Sequence, residues 1–132
     1  MSPHRPEDWP RLFALGLNAG DLDAVIALYE PDATFVPQSG EPVVGRDGIR
    51  EMLAPFIRMK ARMQGQVVKA ITVDDIALLY TDWQGTTVDE SGKTIAMRYH
   101  AVEVVRRQPD GTWRLIVGDP NGRGHEHPAD LD

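Results

Sequence analysis

Apolar residues recur at helical spacing in three runs of the first half of the chain. The runs cover positions 9–17, 22–29 and 49–57, and each would place its apolar residues on one face of a helix. Asp21 and Asp47 stand just before the second and third runs, where a carboxylate can accept hydrogen bonds from the first free amides. The pattern therefore predicts three amphipathic helices.

Prolines set the expected limits of these helices. Pro31 lacks an amide hydrogen and disfavours a helix at the residue before it, so the second helix should end near Glu30. The chain should then enter a short strand with the sequence TFVP, followed by a loop over residues 40–45. Pro55 lies within the third run and should kink or split that helix.

The second half of the chain has the character of a β-sheet. Four β-rich runs, QVVKAITV, IALLYTDWQG, KTIAMRYHAVEVVRR and TWRLIVGD, are separated by the turn signals DD, DESGK and PDG. The connections are too short for crossover helices, so the four strands should be antiparallel. We expect an α+β fold in which a curved antiparallel sheet wraps around the N-terminal helices as a cone with one open end.

Composition limits the size and class of the protein. The chain has 132 residues, of which 42% are hydrophobic, so one core can form. We predict a single domain over 1–132, with a core at about 6–120 and a polar C-terminal tail over 121–132. The net charge of -6 argues against nucleic acid and against anionic membranes as partners.

Missing residue types and segments exclude further classes. The sequence contains no cysteine, which excludes disulfides and thiolate chemistry. No apolar run approaches the length of about 20 residues that spans a bilayer, and the first ten residues have no apolar signal core. We therefore expect a cytoplasmic protein that has no membrane partner.

Three segments resemble a known superfamily. NAGDLDAVIALYEPDATFV, GRDGIREML and VVRRQPDGTWRLIVGDP are similar to the nuclear transport factor 2-like superfamily, in particular its SnoaL-like and ketosteroid-isomerase-like branches. The resemblance implies a cystatin-like α+β roll whose cone binds a small hydrophobic molecule without a cofactor. It also implies a homodimer that forms through the outer face of the sheet.

The catalytic pattern of the ketosteroid isomerases is absent from this chain. In that branch a general-base carboxylate follows the first strand, and here its position falls at Pro37. The tyrosine of the first helix falls at Phe13, and the acidic hydrogen-bond donor falls near His100. The resemblance therefore does not imply ordinary ketosteroid isomerase activity, because a general base and its partners must be correctly placed and protonated.

Alternation along two strands suggests a different set of site residues. Trp83 shares one face of its strand with Ala77, Leu79 and Thr81, while Arg98 and His100 share a face of the next strand. If both faces point inward, His100 could act as acid or base, and Arg98 could hold an anionic group beside the Trp83 wall. The alternative is that Arg98 and His100 face outward and pair with Asp82 or Glu103, because a register error of one residue inverts every side chain.

The remaining candidates depend on the same cone. Asp119 ends the last strand and could orient His100, although the sequence DPNG equally fits a plain turn. Phe13, Tyr29 and Phe56 are expected to contact the ligand, with core packing as the alternative for Tyr29. Polyketide cyclase relatives carry an acidic residue on an inner strand, and both Asp82 and Glu103 remain candidates for that role.

No metal site is predicted. The alternately spaced His125 and His127 lie in a glycine- and proline-rich tail without further ligands nearby, so a solvated tail is the preferred interpretation. The sequence predicts a small-molecule-binding protein, and a cofactor-independent isomerase, cyclase or dehydratase that moves a proton on a hydrophobic carbonyl-bearing ligand is its enzymatic form. The alternative is a non-catalytic ligand-binding or dimerisation module of the same fold.

Overall fold

The computed structural model describes residues 2–124, so the predicted His125–His127 motif and the rest of the tail beyond Gly124 lie outside the described residues. The helices and strands are listed here in chain order: α1 Asp8–Asn18, α2 Leu22–Ile26, β1 Tyr29–Phe35, β2 Val43–Val44, α3 Arg46–Arg58, β3 Arg62–Val73, β4 Ile76–Val88, β5 Thr94–Arg107 and β6 Trp113–Asp119.

The six strands form one curved, unclosed sheet, which confirms the predicted α+β class. Their spatial order is β2-β1-β6-β5-β4-β3. The four long strands β3, β4, β5 and β6 pair antiparallel, as their short connections predict. The sequence did not predict that β1 would pair parallel with β6, which places the N-terminal strand beside the last one.

The second helix is shorter than predicted. It ends at Ile26, and Tyr29 opens β1 instead of closing the helix. Asp21 caps α2 as expected, because its side chain accepts a hydrogen bond from the amide of Ala24 at 3.1 Å. Pro31 lies within β1, where a register shift in the pairing with β6 accommodates a residue that cannot donate to the ladder.

The third helix is continuous through Pro55, so the predicted split is wrong. The helix runs from Arg46 to Arg58, and Pro55 removes one backbone hydrogen bond, that of its missing amide hydrogen, without ending the helix. The N-cap is Gly45, with φ of 92°, and Asp47 lies inside the first turn. A φ in this range favours glycine. Gly45 therefore serves as the N-cap, and the helix begins at Arg46, one residue before the predicted cap Asp47.

The helices close one side of the sheet without filling the space inside it. Val25, Ile49, Leu79 and Leu115 are buried between the two layers. Asn18, at the end of α1, donates to the carbonyl of Met63 at 2.8 Å and accepts from its amide at 2.7 Å. This double hydrogen bond fixes α1 across the start of β3.

Candidate functional site

The helices and the inner face of the sheet enclose a cavity of about 290 Å³. This volume lies at the lower end of the range found for small-molecule sites. Its wall is largely apolar, and the aromatic residues that line it are Trp9, Phe13, Tyr29, Phe35, Phe56, Trp83 and Tyr99. The charged or amide residues that border it are Gln38, Glu103, Asp119 and Asn121.

Aromatic rings from α1 and β4 form one continuous wall. The rings of Trp9 and Phe13 stack with centroids 5.3 Å apart, and Phe13 meets Trp83 edge to face at 5.4 Å. Tyr29 meets Trp9 edge to face at 5.6 Å. Such pairs hold each other in fixed orientations, so this wall presents a rigid apolar surface to a ligand.

A buried carboxyl group lies on the inner face of β5. Glu103 is 5% exposed and lines the cavity. The Thr81 hydroxyl donates to one carboxyl oxygen at 2.7 Å, and the Trp83 indole nitrogen donates to the other at 2.8 Å. Both donors come from β4, so two neighbouring strands fix the position of this group.

Burial dominates the electrostatics of Glu103. It raises the pKa of the carboxyl from 4.5 to about 7, although the bonds from Thr81 and Trp83 and the charge of Arg123 act in the opposite direction. Burial also raises the pKa of Tyr29, and the nearby Glu103 carboxylate raises it further. Near neutral pH the tyrosine is therefore neutral, and Glu103 can either donate or accept a proton.

Of the two alternatives for Arg98 and His100, the strand pairing supports the outward one. Trp83 on β4 lies directly opposite Tyr99 on β5. Side chains that lie opposite each other in paired strands share a face, so Tyr99 points inward with Trp83. Arg98 and His100, one position away on either side, therefore lie on the outer face.

On the outer face His100 contacts Asp82. The two residues pair in register, and His100 Nδ1 lies 3.1 Å from Asp82 Oδ1. The hydrogen bond with His100 lowers the pKa of Asp82 most, and the hydrogen bond from Arg123 lowers it further. Asp119 lies opposite Val102, another residue of this outer face, and also borders the cavity, so its role in orienting His100 stays a prediction.

The other predicted site residues line the cavity. They are Phe13, Tyr29, Phe56, Trp83 and Asp119. Their contact with a ligand stays a prediction. Tyr29 packs in the core at 2% exposure, the alternative considered for it, and it also forms part of the cavity wall.

Sequence reasoning left Glu103 as one of two alternatives and did not identify its importance. A usable signal was present, because Met97, Tyr99, Ala101, Glu103 and Val105 alternate along β5 as one face with a single charged residue. That signal required knowledge of which face is the inner one. Pairing with β4 supplies this knowledge, and it comes from the fold.

Metal ligation and membrane insertion are two further possibilities for residues 2–124. Within this described part of the chain, no group of three or more histidine or acidic side chains is arranged to hold a metal ion. Over the same residues, no helix has the length and apolar character needed to cross a membrane.

Comparison with protein families identifies the chain's relatives. A family model described as SnoaL-like domain matches residues 10–116. The chain belongs to the SnoaL-like domain family. The match includes every helix and strand except the first residues of α1 and the end of β6.

Several solved structures have a fold similar to that of this chain. A ketosteroid isomerase-like protein from Erwinia carotovora atroseptica has a TM-score of 0.75 at 20% sequence identity, over 86% of this SnoaL-like chain and 89% of that one. A nuclear transport factor 2-like protein with a cystatin-like fold from Novosphingobium aromaticivorans has a TM-score of 0.72 at 13% identity, over 86% and 76% of the two chains. These similarities confirm the fold.

A local similarity to a curated protein is stronger in sequence. Over 43 residues the SnoaL-like chain is 49% identical to a protein named Epoxide hydrolase LasB from Streptomyces lasalocidi. The matched segment is 32% of this chain and 15% of that protein. The chain therefore matches only a small part of this relative's length.

Proposed function

We propose that this protein binds a small, flat, apolar molecule carrying a carbonyl oxygen, and that Glu103 donates a hydrogen bond to that oxygen. The observation that carries the proposal is a single buried carboxyl group, held by Thr81 and Trp83, in a cavity with a mainly aromatic wall. A neutral carboxyl in apolar surroundings is a strong donor to a ligand acceptor. The aromatic wall favours a planar ligand.

Proton transfer is the chemistry that this arrangement supports. In its deprotonated form Glu103 can accept a proton from the carbon next to the ligand carbonyl. The electrons of that C–H bond then form a carbon–carbon double bond, and Glu103 stabilises the resulting enolate oxygen or transfers its own proton to it. Isomerases, cyclases and dehydratases of this kind need no cofactor. His100 has no part in this proposal, because it lies on the outer face of the sheet.

A matched pair of probes tests the proposed contact with Glu103. 2-Acetylnaphthalene and 2-ethylnaphthalene have the same shape and differ in the carbonyl oxygen. At pH 6 the acetyl compound should bind about tenfold more tightly, the effect of one hydrogen bond to a buried carboxyl group. The preference should weaken as the pH rises past about 7, where Glu103 loses its proton. Quenching of Trp9 and Trp83 fluorescence in the cavity wall measures both affinities.

Two variants of Glu103 separate the effect of its hydrogen-bond donor from the effect of its charge. Glu103→Met should bind both probes equally, because it has no donor. Glu103→Gln has an amide donor and should keep the preference for the acetyl compound while losing its pH dependence. Equal binding of the two probes by the unaltered protein at pH 6 would refute the proposed contact with Glu103.

An epoxide is a second candidate ligand, favoured by the local identity to the protein named Epoxide hydrolase LasB. An epoxide oxygen is also an acceptor, and Glu103 could protonate it as the C–O bond opens; the water that adds to the carbon then returns a proton to the Glu103 carboxylate. Formation of a diol from indene oxide, detected by mass, would favour this class over the carbonyl class. Binding of either class without turnover would favour a non-catalytic ligand-binding module.

We also propose that the protein is a homodimer that associates through the outer face of the sheet. Leu78 on β4 lies opposite Val104 on β5, and Val104 lies opposite Val117 on β6. Ile71 on β3 extends this row and is 42% exposed. An apolar row across four strands is typical of a surface that a partner covers.

The dimer proposal has a direct test. Native mass spectrometry should give twice the chain mass of 14.7 kDa for the unaltered protein. Leu78→Lys should give the mass of one chain, because it places charges in the centre of the apolar row. Val44→Lys is the matched control, since Val44 is 64% exposed on β2, away from that row. A single-chain mass for the unaltered protein would contradict the proposal.

A further inference from the structure

The chain folds back over β5 after the last strand. β6 ends at Asp119, and residues 120–124, here called the C-terminal turn, are held by bonds from the Gly122 amide to Asp119 and from the Gly124 amide to Asn121. A Cβ atom on Gly122 would lie 2.9 Å from a methyl group of Val102. The turn therefore passes against β5 too closely for a larger residue to fit without displacement.

Arg123 attaches this turn to two strands. Its amide donates to the carbonyl of His100 at 3.1 Å, and its Nε donates to the carbonyl of Ala101 at 3.2 Å. A terminal nitrogen of its guanidinium donates to the carbonyl of Thr81 at 3.0 Å and to Asp82 Oδ1 at 2.7 Å. Arg123 thus bonds to both β4 and β5.

The segment that Arg123 attaches is also part of the cavity. Asp119, Pro120 and Asn121 all line it, and they immediately precede the attached residues. A tight turn of this length leaves little freedom between Asn121 and Arg123. The position of this part of the wall therefore depends on the bonds that Arg123 makes.

The structure assigns Arg123 as a positioning residue: by fastening the C-terminal turn to β4 and β5, it holds Asp119, Pro120 and Asn121 in place as one wall of the ligand site. The effect on ligand binding rests on the proposed function, whereas the fastening of the turn does not. Arg123 acts through the wall and through Thr81, and it does not itself line the cavity.

Arg123 also acts on the charge of the site. Thr81 accepts from Arg123 through its carbonyl and donates to Glu103 through its hydroxyl, so Thr81 connects the two charged residues. The positive charge of Arg123 lowers the pKa of Glu103. The other ionisable groups beside Glu103 in the cavity are Tyr29 from β1, Tyr99 from β5 and Asp119 from β6.

Hydrogen exchange tests the fastening without a ligand. In Arg123→Gln, the amides of Gly122, Arg123 and Gly124 should exchange about tenfold faster, because the turn opens more often. Arg107→Gln is the matched control, since Arg107 also forms an ion pair with a carboxylate, Asp75, but at the far end of β5. Unchanged exchange in Arg123→Gln, or an equal increase in the control, would overturn the assignment.

Ligand binding tests the wall. Arg123→Gln should weaken binding of 2-acetylnaphthalene about tenfold, because the ligand must then order the turn itself. The pH at which Glu103 titrates, followed by carbon NMR of its carboxyl group, should rise in Arg123→Gln and change less in Arg123→Lys, which keeps the positive charge. If Arg123 had a purely structural role, both variants would bind the ligand more weakly, and Glu103 would titrate at the same pH in both.

The two proposals fail in different ways. If the unaltered protein does not prefer 2-acetylnaphthalene over 2-ethylnaphthalene, the proposed contact with Glu103 is wrong. The exchange rates still decide whether Arg123 fastens the turn, and the affinity for 2-ethylnaphthalene decides whether the turn is a wall of the site. Faster exchange in Arg123→Gln together with unchanged affinity for both probes would overturn the positioning role.

Discussion

Glu103→Gln should increase the free energy of unfolding at pH 8 by about 3 kcal/mol and leave it nearly unchanged at pH 4. Burial raises the pKa of Glu103 from 4.5 to about 7, so the folded protein binds this proton more tightly than the unfolded chain. The contribution of Glu103 to stability is therefore fully present below about pH 4.5. It is lost as the pH rises to about 7 and then stays constant.

Urea unfolding of the two proteins from pH 4 to pH 8 measures this effect. The difference between them removes the contributions of all other ionisable groups. Glutamine can satisfy both neighbours of Glu103, because the Trp83 N–H can donate to its oxygen and the Thr81 hydroxyl can rotate to accept from its amide. Glu51→Gln, on the exposed side of α3, is the control for the removal of one carboxylate from the protein. A difference that is the same at every pH would contradict the argument.

The expected gain in stability bears on function. A carboxyl group that costs the folded state free energy at neutral pH is not explained by packing, since glutamine would fit the same bonds. Buried acids with raised pKa values are concentrated at sites of binding and catalysis. The cost of Glu103 therefore supports its role as the polar contact of the cavity.

The fold was predictable because its elements carry strong local signals. The helical spacing of α1 and α3 and the turn at Gly111, which has φ of 84°, are visible in the sequence. The end of α2 was not predictable, because Tyr29 leaves the helical pattern to pair with Leu115 on β6. That pairing joins residues far apart in sequence, and local propensity does not detect it.

The apolar part of the site was predictable from the sequence, whereas its charged part was left with two alternatives. Phe13 and Trp83 line the cavity as expected. Two orientations of Arg98 and His100 stayed open because alternation defines two faces of β5 without showing which one is the inner face. The connection between β4 and β5 decides which face is the inner one. It places Val88 opposite Thr94, so every even-numbered residue of β4 lies opposite an even-numbered residue of β5.

A signal for this register was present in the turn itself. Asp89 accepts from the amides of Ser91 and Lys93, both at 2.9 Å, and so fixes the residues DESGK as a compact connection. The length of this turn aligns β4 with β5 so that Trp83 lies opposite Tyr99. An inward Trp83 therefore implies an inward Tyr99 and an inward Glu103 on the same face of β5. Turn chemistry therefore carries information about the site as well as about the fold.

Gly85→Ala should lower the free energy of unfolding by about 3 kcal/mol, at the upper end of the usual cost of overpacking. A Cβ atom at this position would lie 2.0 Å from the backbone oxygen of Arg62 and 2.7 Å from the sulfur of Met63. A backbone atom cannot move aside as a side chain can, so β3 would have to separate from β4 here. Urea unfolding at a single pH measures the loss.

Gly48→Ala is the control for Gly85→Ala. Its Cβ would approach only a side-chain methyl of Val43 on β2, and alanine favours a helix more than glycine does, so stability should change little.

The effect of Gly85→Ala should extend to the ligand site, because Met63 lines the cavity and lies opposite Gly85. Normal stability in Gly85→Ala would mean that β3 and β4 tolerate separation where the cavity wall begins. The rigidity of the site would then depend on α1, through the bonds of Asn18 to Met63, and not on close contact of the strands.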